Sequence, residues 1–466
     1  MPEHRAGAYI DATSAAAGRK TISVIIQGQS NLVIINPSEG TPRFVTTGLG
    51  FQNDDVFLGA KRAFSDRLYQ LSLDLDKQIE GGEVKLAELS GDAYEAGVRS
   101  LLTLPIGERE LVLYELKEIG AGLRQKLNPD LITKLGVMKQ APEEEPAITF
   151  INHEHAPVLW DMMYEEEMPQ EDPKWEHFWG LKLPLTHWDA RQDPPNRIRL
   201  KRGLFSAIDQ KLLFAASEVS LIAQQMTGGL CHRSLCDELK FKALEALRDQ
   251  IQETPDEWLD KKDRESWLSQ CLEELNKDVA DRKLMTVKTR QWKDRAIHAI
   301  FSDPNFTYEF IHFACHCEPH EVSELLSQLK IHIAGEEISL TVASMPAGRR
   351  SDQPGPLVFL NACGTGQQGA TAEPPGFPDN WISKREAVAV VATLCPVPDL
   401  FAHAFARKFY QTLFESVADP VAPVRARYLS EALLETRRYF MRECGNPLGL
   451  AYVLYAVKDA CIEPRS

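Results

Sequence analysis

Short, continuous apolar runs alternate with amphipathic helical patterns from about residue 200 onward. This rhythm is typical of a largely parallel sheet with helices on both faces, because strands buried on both faces carry no polar side. We therefore predict an α/β fold with a mostly parallel sheet for this part of the chain. The predicted strands cover residues 200–208, 283–287, 309–316, 355–363, 387–395 and 449–457, and the predicted helices cover 232–253, 256–280, 399–417 and 424–444.

The first 199 residues have a different pattern. Residues 1–20 mix charged and small residues like a flexible tail, and residues 21–47 alternate apolar and polar positions around turn signals, which predicts a strand and a hairpin. Helical spacing over 55–137 predicts a small helical layer, and a further strand is expected at 147–155. An acidic segment follows, for which we favour a loop attached to the core by Trp160, Trp175, Trp179 and Trp188.

The chain of 466 residues exceeds the size at which a single hydrophobic core usually stops growing. We therefore expect two packed units behind the tail, namely a non-catalytic α/β half with its helical layer at 21–199 and a core at 200–466.

Composition and charge narrow the classes of function. The chain has 52 Lys and Arg against 67 Asp and Glu, a formal charge of −15, which opposes binding to nucleic-acid phosphates and favours a basic partner or substrate. No run of 18 apolar residues could span a bilayer, and the N-terminus lacks the apolar segment of a secretory signal. The nine cysteines are odd in number and several lie in apolar stretches. We expect a cytoplasmic protein without membrane or direct nucleic-acid partners.

Two predicted strands end in reactive residues. His316 ends the first, and Cys363 ends the second 47 residues later, just before glycines. In open α/β sheets ligands gather beyond the carboxyl ends of the strands, so both side chains are expected at one crevice. An imidazole can take the proton of a thiol, and a glycine-rich exit lets backbone N–H groups approach an oxyanion. The pair predicts a dyad with His316 as general base and Cys363 as nucleophile, in the order that caspases also have.

Four motifs in order, HFACHC, FLNACGTG, AVAVVATLCPVPD with FARKFYQTL, and SEALLETRR before NPLGLAYVLYAV, resemble the CHAT family of caspase-like proteases. The resemblance covers residues 280–457, and the earlier LWDMMYEEEM and FWGLKLPLT look like the family's segment before the core. It implies a caspase-like α/β/α sandwich, preceded by a smaller degenerate (pseudo-caspase) α/β half, and a cysteine endopeptidase that uses His316 and Cys363. Family members act in prokaryotic defence and cell death, where a separate partner licenses cleavage of a protein substrate.

The resemblance also implies two finer assignments. The backbone N–H groups of Cys317 and Cys363 would form the oxyanion hole, although the family usually has glycine where this chain has Cys317, and cysteine disfavours positive φ. Asp399, in the CPVPD turn, lies where related separases have a pocket for a basic P1 residue. Asp399 is also a favoured N-cap for the helix that follows it, and the two roles are compatible.

Two other functions stay open at the level of sequence. The string His312, Cys315, His316, Cys317 and His320 is rich in zinc ligands, but strand alternation puts His312 and His316 on one face and the two cysteines on the other. A catalytically inactive interaction scaffold is the second alternative. We expect no cofactor and no metal. Residues 341–355 and 364–386 are rich in Gly, Pro and small polar residues, so we expect a separate activator to order them.

Overall fold

The computed structural model describes the strands and helices of both parts of the chain. It covers residues 21–27, 32–37, 45–48, 55–80, 82, 86, 89–129, 147–152, 159–165, 172–189, 196–199, 203–226, 231–235, 238, 300–301, 306, 308–318, 327–333, 336–342, 355–362, 376–415, 427–457 and 459–463.

Thirteen strands form one sheet within these residues. Its order is β11-β10-β9-β12-β13-β15-β5-β4-β1-β2-β3, with β7 beside β9 and β8 beside β7. Three short strands, β14, β16 and β6, form a second sheet. The strands are β1 (Thr21–Gln27), β2 (Leu32–Pro37), β3 (Val45–Gly48), β4 (Ala147–Asn152), β5 (Leu185–Asp189), β6 (Arg197–Arg199), β7 (Gly203–Ile208), β8 (Cys231–Ser234), β9 (Phe310–Glu318), β10 (Gln328–Ile333), β11 (Glu336–Thr341), β12 (Leu357–Ala362), β13 (Ala389–Thr393), β14 (Arg427–Tyr428), β15 (Tyr452–Ala456) and β16 (Cys461–Glu463).

Helices cover both faces of the central part of the sheet. Their bounds are α1 (Asp55–Ile79), α2 (Gly91–Leu102), α3 (Ile106–Lys126), α4 (Trp179–Lys182), α5 (Ala215–Gln225), α6 (Phe377–Arg385), α7 (Asp399–Glu415) and α8 (Leu429–Cys444). Three 3₁₀ turns accompany them at Trp160–Met162, Trp175–His177 and Pro447–Ala451.

The two faces of β9 show how these layers pack. On one face His312 contacts Glu218 of α5 and Tyr410 of α7. On the other face Phe313 contacts Trp381 of α6 with their ring centroids 5.8 Å apart. Since β9 and β12 are apolar on both sides and buried over most of their length, the core of this region is a sheet enclosed between helices.

The helical layer of the N-terminal part rests on the C-terminal helix. Asn446 donates to the Leu102 carbonyl oxygen at 3.0 Å, and the Leu104 N–H donates to the Cys444 carbonyl oxygen at 3.0 Å. Helix α8 ends at Gly445, whose φ of 58° is the left-handed conformation that glycine adopts without a steric penalty. The two parts of the chain therefore share an interface at the end of α8.

The predicted fold class is confirmed, because the fold is α/β and its large sheet is mostly parallel. Strands β7, β12, β13 and β15 fall within their predicted stretches, as do helices α7 and α8, and β9 runs two residues beyond its predicted end at residue 316. The proposed division at residue 199 lies within one continuous sheet, since β5 pairs in parallel with β15 through His187 and Tyr455.

Several predictions differ from the structure. The stretch 232–253 begins with strand β8 rather than with a helix, because Cys231–Ser234 pair in parallel with β7. Strands β10 and β11 and helix α5 are absent from the sequence prediction, and residues 377–385 of the Gly- and Pro-rich stretch form the packed helix α6. The predicted strand 283–287 and helix 256–280 lie outside the described residues.

The acidic tryptophan segment is more ordered than the expected loop. Trp160 and Trp179 are fully buried and stack with their ring centroids 6.0 Å apart. Asp161, next to Trp160, is also buried, and its carboxylate contacts His187 at 2.5 Å and Arg437 at 2.6 Å. Trp175 is only partly buried.

Candidate active site

His316 lies in the last part of β9, where the strand changes from buried to exposed residues. Its side chain is exposed, whereas Cys315 before it is buried. Strand β10 pairs antiparallel with this part of β9 and sets Lys330 opposite His316. The Lys330 ammonium contacts the carboxylate of Glu318, and this hydrogen bond raises the pKa of Lys330. His316 is therefore accessible, beside a cation that is already paired.

Strand β12 runs parallel to β9 and pairs with it from Leu357 to Ala362. Asn361 pairs with Ala314, and Ala362 pairs with Cys315, the residue directly before His316. Cys363 follows Ala362 in the sequence and lies outside the described residues, so the structure describes one member of the predicted dyad.

The backbone at Cys317 does not adopt the positive φ that cysteine disfavours. Cys317 lies within β9 and pairs with Leu329 of β10, so its backbone is extended. Among the described residues, the non-glycine residues with positive φ are Glu386 and Asp459. A cysteine therefore fits at this position without the left-handed conformation that a glycine would allow.

Asp399 is the first residue of α7, after strand β13. One oxygen of its carboxylate accepts a hydrogen bond from the Phe214 N–H at 3.0 Å. Phe214 immediately precedes α5, so Asp399 joins the starts of two helices. Asp399 is thus the first helical residue of α7 and not the N-cap residue before it, and its side chain is partly exposed.

The loop between β7 and α5 runs along the same edge and was not singled out in the sequence. Asp209 opens it: the Asp209 N–H donates to the Ala314 carbonyl oxygen at 2.7 Å, and the buried Asp209 carboxylate contacts Nδ1 of His332 at 2.8 Å. The loop is thus fixed to β9 two residues before His316, and it is fixed to Asp399 at its other end.

A cluster of buried polar side chains lies between the strands that carry the dyad motifs, on the α5 and α7 face. Glu218 of α5 contacts Nε2 of His312 at 2.6 Å and accepts from Nδ2 of Asn361 at 2.8 Å. Tyr452 donates to Oδ1 of Asn361 at 2.7 Å. Burial and, next, the Glu218 carboxylate raise the pKa of Tyr410 well above its usual range. Sequence reasoning missed this cluster, although polar His312 and Asn361 inside apolar strands were a usable signal.

The described histidines and cysteines of the string proposed as a zinc site are not gathered around a common point. His312 is fully buried and is held by Glu218, and its ring stacks on Phe359 at 5.3 Å. In the part of the chain that the structure describes, no three His, Cys, Asp or Glu residues come together as a group that could hold a metal ion. His320 lies outside that part.

A cavity of about 370 Å³ lies where the helical layer meets α7 and α8. Tyr94 of α2 and His403 of α7 line it, with the Tyr94 hydroxyl and His403 Nε2 3.1 Å apart. The His403 ring also packs on Phe214, with ring centroids 5.6 Å apart.

None of the described helices is both long and apolar enough to cross a bilayer.

Comparison with known protein families finds a match over the region that contains the candidate site. Residues 263–447 match the model of the CHAT domain. The match confirms the resemblance that the sequence motifs carry, to a family of caspase-like cysteine proteases. No curated protein matches the chain.

Solved structures with a similar arrangement include two groups of proteases. One is the Arg-specific cysteine proteinase gingipain R, with a TM-score of 0.36 and 8% identity over 72% of this chain and 68% of that chain. The other is Saccharomyces cerevisiae separase in complex with securin, with a TM-score of 0.41 and 11% identity over 96% of this chain. The match covers only 30% of the separase chain's own length.

Proposed function

We propose that the chain is a cysteine endopeptidase in which His316 is the general base and Cys363 the nucleophile. The register of β9 and β12 is the observation that carries this proposal. Ala362 pairs with Cys315, so each of the two proposed reactive residues directly follows, in the sequence, one member of the last described pair between these parallel strands. Neighbouring strands are about 4.8 Å apart, so a thiol and an imidazole at paired positions on one face are within reach of each other.

The proposed reaction uses this pair in two steps. Nε2 or Nδ1 of His316 takes the thiol proton, the Cys363 sulfur forms a bond to the scissile carbonyl carbon, and the imidazolium returns the proton to the leaving amine. The N–H groups of Cys317 and Cys363 would stabilise the oxyanion. Water, deprotonated by His316, then attacks the thioester, releasing the acid product and the free thiol.

Thiol labelling tests the dyad without a known substrate. We expect iodoacetamide at pH 7 to label Cys363 faster than Cys315, which is buried, and than Cys317, which is partly buried. His316→Ala should slow labelling of Cys363 specifically, whereas His177→Ala, a histidine remote from β9 in sequence, should leave it unchanged. Equal labelling rates in the wild type and His316→Ala would contradict the dyad.

Peptide cleavage separates the enzyme from an inactive scaffold. Cys363→Ala and His316→Ala should each abolish cleavage while leaving the circular dichroism spectrum unchanged, because base and nucleophile act as one unit. A wild-type chain that binds a partner fully but cleaves no peptide under any condition would instead favour the inactive scaffold.

We further propose that cleavage follows Arg or Lys and that Asp399 supplies the negative charge of the P1 pocket. The acidic net charge of −15 supports a basic substrate. Because Asp399 also holds the Phe214 N–H, an alanine variant would disturb both roles at once. Asp399→Asn keeps an oxygen acceptor for Phe214 and removes only the charge.

The specificity experiment compares Asp399→Asn with the wild type on matched peptides that differ only at P1. We expect kcat/KM for P1 Arg to fall roughly 10- to 100-fold, the range for a lost charge-assisted hydrogen bond, while P1 Gln changes little. An unchanged preference for Arg in Asp399→Asn would contradict the assignment.

We propose, on the family resemblance, that a separate protein activates this cytoplasmic peptidase against a specific protein substrate, in prokaryotic defence or cell death. The activity of the purified chain tests this regulation. We expect weak cleavage by the chain alone and a rise upon addition of the activator. Full activity without any partner would contradict it.

A further inference from the structure

We propose that Glu218 and Tyr452 are positioning residues for the active site, acting through Asn361; this inference rests on the cysteine-peptidase proposal above. Asn361 belongs to β12 and precedes Cys363 by two positions in the sequence. Side chains two positions apart on a strand point to the same face. Whatever fixes the Asn361 side chain therefore fixes the end of the strand from which Cys363 follows.

Both ends of the Asn361 amide are occupied by buried partners. Its Nδ2 donates to Oε1 of Glu218 at 2.8 Å, and its Oδ1 accepts from the Tyr452 hydroxyl at 2.7 Å. Glu218 is 1% exposed, Tyr452 is fully buried, and Asn361 is 5% exposed. An amide held by a donor on one side and an acceptor on the other has a single orientation, because a flip would set like groups against each other.

Glu218 also ties β12 to β9. The same Oε1 atom that accepts from Asn361 contacts Nε2 of His312 at 2.6 Å. His312 and His316 lie on the same face of β9, four positions apart. One carboxylate from α5 thus holds both strands, each upstream of its proposed reactive residue.

Tyr452 is a rigid partner because its ring is fixed independently of its hydroxyl. The ring stacks on Phe405 of α7 with centroids 3.8 Å apart and planes 7° apart. Its own strand, β15, is separated from β12 by β13. The hydroxyl therefore reaches Asn361 across strand β13. Removing the hydroxyl oxygen alone would leave the stacked ring in place.

The position of the cluster argues for a role beyond stability. Residues Leu357–Leu360 of β12 are apolar and fully buried, and the strand becomes polar only at Asn361. Apolar side chains would fill such a site at lower desolvation cost, whereas a satisfied polar cluster specifies one orientation. The fixed orientation of Asn361 is thus found two residues before the proposed nucleophile.

The decisive variant is Tyr452→Phe, which removes one hydroxyl and keeps the ring stack. Tyr164→Phe is the matched control, because Tyr164 is also a buried tyrosine, and its hydroxyl accepts a hydrogen bond from the Lys174 N–H at 2.9 Å. We expect Tyr452→Phe to lower kcat, and the rate at which iodoacetamide labels Cys363, about three- to tenfold with KM within twofold. Tyr164→Phe should stay within twofold on all three.

Glu218 provides the second arm. Glu218→Gln keeps an oxygen that accepts from Asn361 and should retain most of the labelling rate, whereas Glu218→Ala should lose it at least as strongly as Tyr452→Phe. If Glu218→Ala does not fold, the tyrosine pair decides alone. Equal kcat and labelling rates in the two tyrosine variants overturn the proposal.

Failure of the dyad is distinguished by two further measurements. Equal labelling of Cys363 in the wild type and His316→Ala refutes the peptidase proposal itself. Hydrogen exchange over residues 357–362 reports the Asn361 contacts without any activity. Faster exchange in Tyr452→Phe than in Tyr164→Phe supports the positioning role of Tyr452, and identical exchange overturns it.

Discussion

Asp161→Asn is the sharpest test of how the N-terminal part of the chain supports the C-terminal part. The Asp161 carboxylate is buried between two partners, Arg437 of α8 at 2.6 Å and His187 of β5 at 2.5 Å. Arg437 also donates to the Gly180 carbonyl oxygen at 2.9 Å and to the Tyr452 carbonyl oxygen. The variant keeps the shape of the side chain and removes the charge that balances a guanidinium only 1% exposed.

The expected loss of unfolding free energy is about 3–5 kcal/mol, the range for a buried ion pair that loses one partner. The pH dependence follows from the pKa of Asp161. Burial alone would raise this pKa, but Arg437, followed by His187, outweighs burial and holds it below its usual range. A carboxyl with a lowered folded-state pKa stabilises the fold above its unfolded pKa, about 3.9, and loses that effect as pH falls towards the folded value. The difference between wild type and variant should therefore be full at pH 7 and shrink below about pH 4.

Urea unfolding measures this difference, followed by circular dichroism and by tryptophan fluorescence to test for a single transition. Asp74→Asn is the control, because it makes the same chemical change in an exposed pair with Lys77, whose side chain is 75% exposed. We expect the control to lose no more than about 0.5 kcal/mol. If Asp161→Asn, like the control, loses less than about 1 kcal/mol of unfolding free energy at pH 7, the buried ion pair does not support the fold.

Three further predictions concern single residues. Burial lowers the pKa of His403, so its neutral form is favoured in the fold; stability should be full above about pH 6.5 and decline as pH falls, and His403→Gln should flatten this part of a melting-temperature profile. Burial raises the pKa of Cys444 to about 11, so mass spectrometry should find it alkylated at pH 8 roughly a hundredfold more slowly than a free cysteine, and comparable rates would contradict its burial. Gly445→Ala should cost about 1 kcal/mol or more in urea unfolding because of its φ of 58° and a Cβ 2.7 Å from Cδ of Arg109, whereas Gly107→Ala in open space on α3 should cost nothing.

The strands that carry the candidate site were predictable because their signal is local. Continuous apolar runs with β-branched and aromatic residues mark β9, β12 and β13, and no partner needs to be known to read them. The hairpin of β10 and β11 also had a local signal, since Leu329, Ile331 and Ile333 alternate with polar residues. This alternation belongs to a half-buried strand and differs from the continuous apolar runs of β9 and β12, which are buried over most of their length.

The polar core was not predictable in this way because its partners are distant in sequence. Glu218 meets His312, 94 positions away, and Asn361, 143 positions away. A short pattern around Glu218 shows only a charged residue in an amphipathic stretch, which reads as a solvated position. Asp399 is the opposite case: its place at a helix start was expected, but its bond to Phe214, 185 positions earlier, was not.

The place of β15 in the sheet has a consequence for biosynthesis. This strand lies between β13 and β5, although roughly 260 residues separate it from β5 in the sequence. At about 5–20 residues per second, a ribosome that has made β5 needs roughly 13–50 s to reach β15. Throughout that interval β5 has an open edge, a hazard for pairing with other nascent chains that a chaperone would have to cover. The same delay means that the sheet cannot be complete while the polypeptide is still short of Tyr452.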